Sequence, residues 1–436
     1  MQEAAPAAAP GALSLLRQRP FALFLFSRIL SAAALQVQVV AVGWQVYELT
    51  DSALALGLVG LAQFLPMLLL TLVVGQVADR VDRRLLVGIC RIVTAAGGFG
   101  LAWGSLAGWL DRDAIFAFVV LFGAARAFEM PAQQALISGV VAAPDLPRAM
   151  AMGSSANQVA TICGPALGGF LYALGGATAA YGVAALAFLL AGLMVLAIRI
   201  PPRNLMRGKV TMESLFSGLT FIWSRPALLG AVSLDMVAVL LGGAAALFPI
   251  YAKDILQTGP WGLGLLRASP AIGALAMSLL LTWRPLSRHA GTRMFIAVIL
   301  FGLATIVFGL SRSLILSSAA LVVLGAADVV SVVVRQSLVQ LATPDEMRGR
   351  VAAVNSLFIG TSNQLGEFES GVAAALLGPV AAVVLGGVGT VLVAIAWMRW
   401  FPALRAIDRL EDVRPVSNMA DDTGGHVSTG RKQGND

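Results

Sequence analysis

The chain has 436 residues and a formal net charge of +7; 58% of it is apolar and 12% charged, against roughly 45–50% and 25% in soluble domains. That balance leaves too little polar matter to coat a soluble fold and too much apolar matter for a disordered one. The chain is therefore an integral membrane protein. A helix needs about 20 apolar residues to cross the hydrocarbon core. Six such runs fall at 21–47, 53–74, 86–108, 114–141, 150–173 and 178–198, and six more at 227–250, 262–283, 294–311, 314–342, 351–376 and 379–401. Barrel strands are shorter and alternate in polarity, so the spans are helices. Arg17, Arg19 and Ala32-Ala33-Ala34 bracket a run resembling a secretory leader, but the apolar stretch continues through Val46, too long for a leader core. It reads as the first span.

Arginine and lysine set the expected orientation. With both termini cytoplasmic, 22 of the 30 basic residues lie on inside segments, while the outside loops hold Arg112, Lys253 and Arg312. Five lie within spans: Arg28, Arg91, Arg126, Arg267 and Arg335. The bias accounts for the basic character without nucleic acid. Residues 1–20 read as a cytoplasmic leading segment, 21–198 as one six-helix unit and 227–401 as a second. Between them, 199–226 carries Pro201-Pro202, five cationic residues and Pro226, and reads as a cytoplasmic linker. Residues 402–436 form a polar cytoplasmic tail, expected to be disordered at its end. A shift of 202 residues places Gly123 on Gly325, Gln134 on Gln336, Arg148 on Arg350, Gly164 on Gly366 and Gly169 on Gly371. Alone the echo is weak, but with the six-plus-six layout it suggests a duplicated half.

Taken in chain order, the polar residues of the first span are Gln36, Gln38 and Gln45, with Trp44 near its outer end. They could line a substrate path, make interhelical hydrogen bonds or, for Trp44, anchor the interface. Between spans 2 and 3 the chain reads Gly75-Gln76-Val77-Ala78-Asp79-Arg80-Val81-Asp82-Arg83-Arg84. This resembles the signature loop of the major facilitator superfamily, G-x-x-x-D-R-x-G-R-R, with Gly75, Asp79, Arg80, Arg83 and Arg84 matching and Asp82 in place of the glycine. Fixed charges on a short loop can pair with a neighbouring half in one conformation only, which makes the loop a candidate gate. Span 5 carries Gly164-Pro165-Ala166-Leu167-Gly168-Gly169, preceded by Ala160. It is similar to the superfamily's antiporter motif, G-x-x-x-G-P-x-x-G-G, found chiefly in exporters. Small residues allow two helices to approach closely, and proline favours a bend. Pro344–Ser356 and Leu365–Gly371 resemble the bacterial branch that contains the enterobactin (siderophore) exporter and related drug exporters.

Charges at mid-span cost roughly 2.5–3.5 kcal/mol on insertion scales and usually border a cavity or a partner. The deep acids are Glu129, Asp235, Asp328, Glu367 and Glu369. Arg126 and Glu129 share a face of span 4, and Asp328 and Arg335 a face of span 10. Arg126 resembles an arginine linked to proton transfer in the superfamily. The 202 shift sets it on Asp328, so opposite charges from the two halves could face each other. Arg91, near a span end, is expected to snorkel. Glu367 and Glu369 point to nearly opposite sides, so one faces the pathway at most. Arg126, Glu129, Asp328 and Glu367 are the proton-coupling candidates, and Arg28, Gln38, Gln45, Asp235 and Arg335 the cavity candidates.

The cysteines, Cys90 and Cys163, sit in apolar runs, and the histidines, His289 and His426, in a loop and the tail. No disulfide framework, metal site or cofactor is expected. No HExxH, GxSxG or paired catalytic aspartates stand out, so an enzyme is not expected, nor a sensor. The resemblance implies an all-α membrane protein with twelve transmembrane helices in two pseudo-symmetric six-helix bundles, the major facilitator fold. It implies a monomeric secondary transporter in the bacterial inner membrane that exchanges protons for an outgoing small amphipathic molecule, siderophore-like or drug-like. Solute import or lipid flipping without protons is the alternative.

Overall fold

A computed structural model describes residues 15–199, 212–286, 288–410 and 413, without the side chains at 71–73, 75, 76, 78–80, 212–216, 345, 346 and 353. Helices α1 to α4 span Arg19–Thr50, Ala53–Arg80, Arg83–Ala107 and Arg112–Val140. The run Leu146–Leu196 is broken at Gly175 and Gly176, which gives α5 (146–174) and α6 (177–196). Gly176 has φ 65° and ψ −164°, a conformation a side chain would strain. The chain reverses there: Ser27 Oγ donates to the Ala191 carbonyl of α6 at 2.5 Å, while its neighbour Arg28 lies against Gly153 of α5.

The second half holds α7 (Pro226–Gly242), α8 (Pro260–Trp283), α9 (Ala290–Leu310), α10 (Leu314–Ala342), α11 (Asp345–Leu377) and α12 (Pro379–Trp400). The span expected to continue from 227 to 250 stops being α-helical at Gly242 and proceeds through tight turns and a π-turn, Tyr251–Ile255. Pro249 in that segment has no N–H to donate to a continuous helix. The linker is not wholly extended, since its last part forms a helix, Met212–Trp223, whose Gly218 sits against the Arg350 carbonyl and Val354 of α11. Most of the remaining linker, the chain end before residue 15 and the tail from 414 lie outside the described residues.

Ten described helical runs are long and apolar enough to cross a bilayer. One is the folded 146–196 run, which crosses twice. The 33-residue α11 has the length, but its interior polar residues, Asn355, Thr361, Asn363 and Gln364 with Glu367 and Glu369, make it too polar to join that set. With these two, the described residues are consistent with twelve passes. Large apolar side chains cover the outside, with Trp283 and Ile315 each 83% exposed, the reverse of a soluble protein. An even number of passes returns the chain to its starting side, here termed the terminal face; the opposite side is the distal face.

Two glycine seams join the bundles. Gly57 of α2 meets Gly371 of α11, and Gly169 of α5 meets Gly264 of α8. A Cβ on Gly57 would lie 3.0 Å from Gly371 Cα, and one on Gly264 3.2 Å from Gly169 Cα. The sequence echo sets Gly169 on Gly371, and each crosses to the other bundle's second helix. Within the bundles the pattern repeats, with Gly123 against the Gln63 backbone and Gly325 against the Pro270 backbone. Pseudo-symmetry is therefore visible in which backbones touch, beyond any match of letters.

Bulk at a seam has nowhere to go without parting the bundles, and overpacking of this kind costs typically about 1–3 kcal/mol. Gly264→Leu and Gly371→Leu should each lower the thermal unfolding midpoint in nanodiscs by several degrees. Gly360→Leu is the control, since a Cβ there meets nothing within 4 Å, and it should leave the midpoint in place.

Candidate functional site: the cavity between the bundles

The bundles enclose a cavity of about 920 Å³, within the range of small-molecule sites, about 300–1,000 Å³. It extends from Gly43 and Leu56 near the distal end to Ser138 and Leu146 at the terminal face. Cross-bundle contacts close the distal end. Tyr47 donates its hydroxyl to Asp254, Lys253 pairs with Asp51 at 2.6 Å, and the Lys253 ammonium lies 5.0 Å from the Tyr47 ring centre. Asp51 is 72% exposed, so this last pair contributes little stability on its own and separates easily. Gln158 Nε2 adds a bond across the α5–α8 seam to the Ala271 carbonyl at 3.2 Å.

Arg28, Gln36 and Gln38 of α1, Arg126, Glu129 and Gln133 of α4, Arg267 of α8 and Gln364 and Glu367 of α11 all line the cavity. Phe122, Met130, Met150 and Phe188 supply apolar wall between them. Glu367 lies opposite Gly60 of α2, where a Cβ would come within 2.8 Å of its Oε2. Glu367 and Arg267 are near enough to interact electrostatically. Glu369 is not on this wall, as its opposite facing on α11 requires.

The residue that reorganises the sequence reading is Arg91. It does not snorkel: it is 1% exposed and holds Glu129 at 2.7 Å through Nε. Its Nη2 donates to Gln133 Oε1 at 2.6 Å and its Nη1 to Ser27 Oγ. Ser27 in turn reaches the Ala191 carbonyl. Every guanidinium nitrogen is thus used, and α1, α3, α4 and α6 are tied together through one side chain. A span-end position gave no hint of this, because rotation of α3 turns Arg91 inward instead of toward water. Arg126 therefore stands on the same wall as Glu129 without being its hydrogen-bonded partner.

Other candidates fall elsewhere. Gln45 bonds Ser105 Oγ of α3 at 3.1 Å and does not border the cavity. Trp44 is buried edge-on against Tyr172, at 6.3 Å between centroids, and is no interface anchor. Asp235 of α7 pairs with Arg335 of α10 inside the second bundle, so neither borders the main cavity. Asp328 borders a small crevice with Asp235 and Ser331, away from Arg126, so the expected cross-half facing of Arg126 and Asp328 does not occur. The 202 echo correctly aligned the helices, but equivalent positions in the two bundles need not point into one space.

Of the candidate gating residues, Gly75, Asp79 and Arg80 lie outside the described side chains; the α2 helix itself runs through Arg80, leaving a two-residue connection in place of a longer loop. Asp82 occupies the motif's glycine position with φ −56°, which needs no glycine. It caps α3, accepting from the Arg84 backbone N–H at 2.8 Å and pairing with the Arg84 guanidinium at 2.7 Å. That guanidinium holds the Asp82 carboxyl below the usual carboxylate range. The resulting small stabilisation is present above that range and is lost as pH falls through the lowered value. Arg84 Nη1 also donates to the Ile198 carbonyl at 2.7 Å, so α3 and the end of α6 are clamped. Arg83 begins α3. In the antiporter segment, Gly164 seats Gln36, Gly168 seats Val37 and Val40 of α1, and Gly169 and the Pro165 carbonyl meet Gly264 of α8. One stretch of α5 thus builds both the wall and a seam.

The sequence profile of a family described as transmembrane secretion effectors matches residues 10–423. The chain is similar to the multidrug efflux pump Tap of Mycobacterium tuberculosis, 29% identical over 409 residues, covering 89% of this chain and 95% of that protein. It is also similar to the enterobactin exporter EntS of Citrobacter koseri, at 26% identity, 94% and 97% coverage. Among solved structures, a bacterial homologue of the lysosomal transporter Spinster superposes with a TM-score of 0.67 at 15% identity, covering 91% of this chain and 97% of that one. A bacterial homologue of the iron transporter ferroportin gives 0.67 at 16% identity, with 88% and 98% covered. These likenesses are to transporters, and the fold is that of the major facilitator superfamily.

Removing one partner from a sealed ion pair typically costs about 3–5 kcal/mol, because the other charge stays buried. Glu129 borders the cavity and is 15% exposed there, so Glu129→Gln should cost less, on the order of 2 kcal/mol. Thermal unfolding of Arg91→Gln, Glu129→Gln and the double variant should show the double change costing clearly less than the two singles combined.

Proposed function

The chain belongs to the transmembrane secretion effector family, within the major facilitator superfamily, and on that premise we propose that it is a proton-coupled exporter of a small amphipathic molecule in the bacterial inner membrane. It works by alternating access, with both termini cytoplasmic. The observation that carries this reading is the placement of two ionisable carboxylates, Glu129 and Glu367, on the wall of one cavity built from both bundles.

Substrate enters from the terminal face while the distal contacts hold. The bundles then rock about the glycine seams, parting Tyr47 from Asp254 and Lys253 from Asp51. A proton on Glu129 removes the charge that Arg91 holds, which loosens the tie among α1, α3, α4 and α6. A proton on Glu367 does the same for its attraction to Arg267. Either event alters the relative stability of the two states, which is what coupling requires. Each proton moved inward down the membrane potential supplies about 2.3 kcal/mol per 100 mV. Export of drug-like or siderophore-like compounds fits the names of the two relatives.

In proteoliposomes under an imposed pH jump, the wild-type chain should drive substrate movement that collapses when the gradient is dissipated. Glu129→Gln and Glu367→Gln should each lower the pH-driven component about ten-fold or more, and Asp328→Asn, away from the cavity, by less than about three-fold. Undiminished pH-driven movement in both Glu129→Gln and Glu367→Gln would reject these carboxylates as the coupling groups, and movement indifferent to the gradient would reject proton coupling itself.

A further inference from the structure

The charges facing the cavity do not balance. Glu129 is already held by Arg91, and Glu367 has Arg267 beside it. Arg28 and Arg126 border the same space without a carboxylate within 4 Å among the described ion pairs, although Glu129, already paired with Arg91, is near enough to Arg126 to attract it. The unused hydrogen-bonding capacity is mainly of one kind. Arg28 Nε, Arg267 Nε and Gln38 Nε2 are buried donors without a hydrogen-bond partner, against one such acceptor on the wall, Gln364 Oε1, and Gln38 is only 4% exposed. Guanidinium groups in a space of reduced dielectric bind oxyanions strongly, often through two parallel bonds. An ammonium ligand would instead meet two acids that already have arginine neighbours, and the repulsion of the remaining arginines. Between the cationic positions lie Phe122, Met130 and Phe188, which give an apolar body a surface to rest on.

We propose that the cavity selects an amphipathic anion: an acidic head of the carboxylate, sulfonate or phosphate type is held by Arg28 and Arg126 of the first bundle, with Arg267 on the opposite wall, and an aromatic or alkyl body lies against Phe122, Met130 and Phe188. This rests on the reading of the cavity as the transport site. The head group could belong to a soluble organic acid or to a single-chain lipid, and the two sources share the same recognition chemistry.

The test uses the full chain in phosphatidylcholine nanodiscs and equilibrium binding, with empty nanodiscs subtracted. The first arm compares 2-naphthoate with 2-naphthamide and 2-naphthylmethylammonium. The second compares lysophosphatidylglycerol with lysophosphatidylcholine. The expected result is at least ten-fold tighter binding of the anion than of its uncharged or zwitterionic counterpart in one arm, and the responding arm identifies the source. Arg28→Gln and Arg126→Gln should reduce that preference below about two-fold while leaving 2-naphthamide binding within two-fold, and Arg28→Lys should restore part of it. Equal binding of the neutral or cationic probes to the wild-type chain in both arms overturns the proposal, and this comparison depends on no variant folding. Survival of the preference in both glutamine variants also overturns it. Anion preference without pH-driven transport would instead remove the exporter reading and leave the anion site standing.

Discussion

A guanidinium at bilayer depth that does not border a cavity must find its partners within the protein, because no water is present to supply them. Arg91 is the position where this constraint shapes the first bundle. Its three nitrogens donate one bond each to Ser27, Glu129 and Gln133, three residues on two other helices, and Ser27 passes the connection on to α6. Keeping that cluster satisfied requires α3 to turn Arg91 inward and α1 and α4 to present Ser27, Glu129 and Gln133 to it. The same requirement places Glu129 at the edge of the cavity, one side held by a buried cation and the other open to whatever enters.

The second bundle meets the requirement differently. Asp235 and Arg335 neutralise each other inside it, and the cavity-facing charges come from Arg267 and Glu367 on the seam helices. Two bundles with the same helix packing therefore contribute unequal chemistry. The first offers a cationic wall backed by a fixed ion pair, and the second a carboxylate beside a single arginine. Under the proposed coupling, asymmetry of this kind would let a pseudo-symmetric scaffold respond differently to a proton and to a substrate.

The proposed rocking would depend on how the bundles are held. At the seams, backbones approach through Gly57, Gly169, Gly264 and Gly371, where smooth surfaces can roll without unlocking side chains. At the distal end the ties are polar and partly exposed: a tyrosine on a carboxylate and a lysine on another. Such ties are weak enough to break and specific enough to define one closed arrangement. The broken helix 242–255 reaches the distal face where these ties form, and its Ala246 borders the cavity, so gate and wall share one irregular segment.

Read by itself, the sequence determined the medium, the all-helical class and the family, because hydropathy along a helix and a few turn-forming motifs are local properties. It also singled out Arg28, Gln38, Arg126, Glu129 and Glu367, since a charged or amide group inside an apolar run stands out wherever the helix points. The tertiary structure alone decided which of the singled-out groups share a space. Gln45, Asp235, Asp328 and Arg335 carry the same signal in the sequence and turn away from the main cavity, while Arg91, expected to reach for water, became the buried hub. The reason is physical: a partner is chosen by the rotation and tilt of one helix against its neighbours, and these are fixed by packing among residues scores of positions apart.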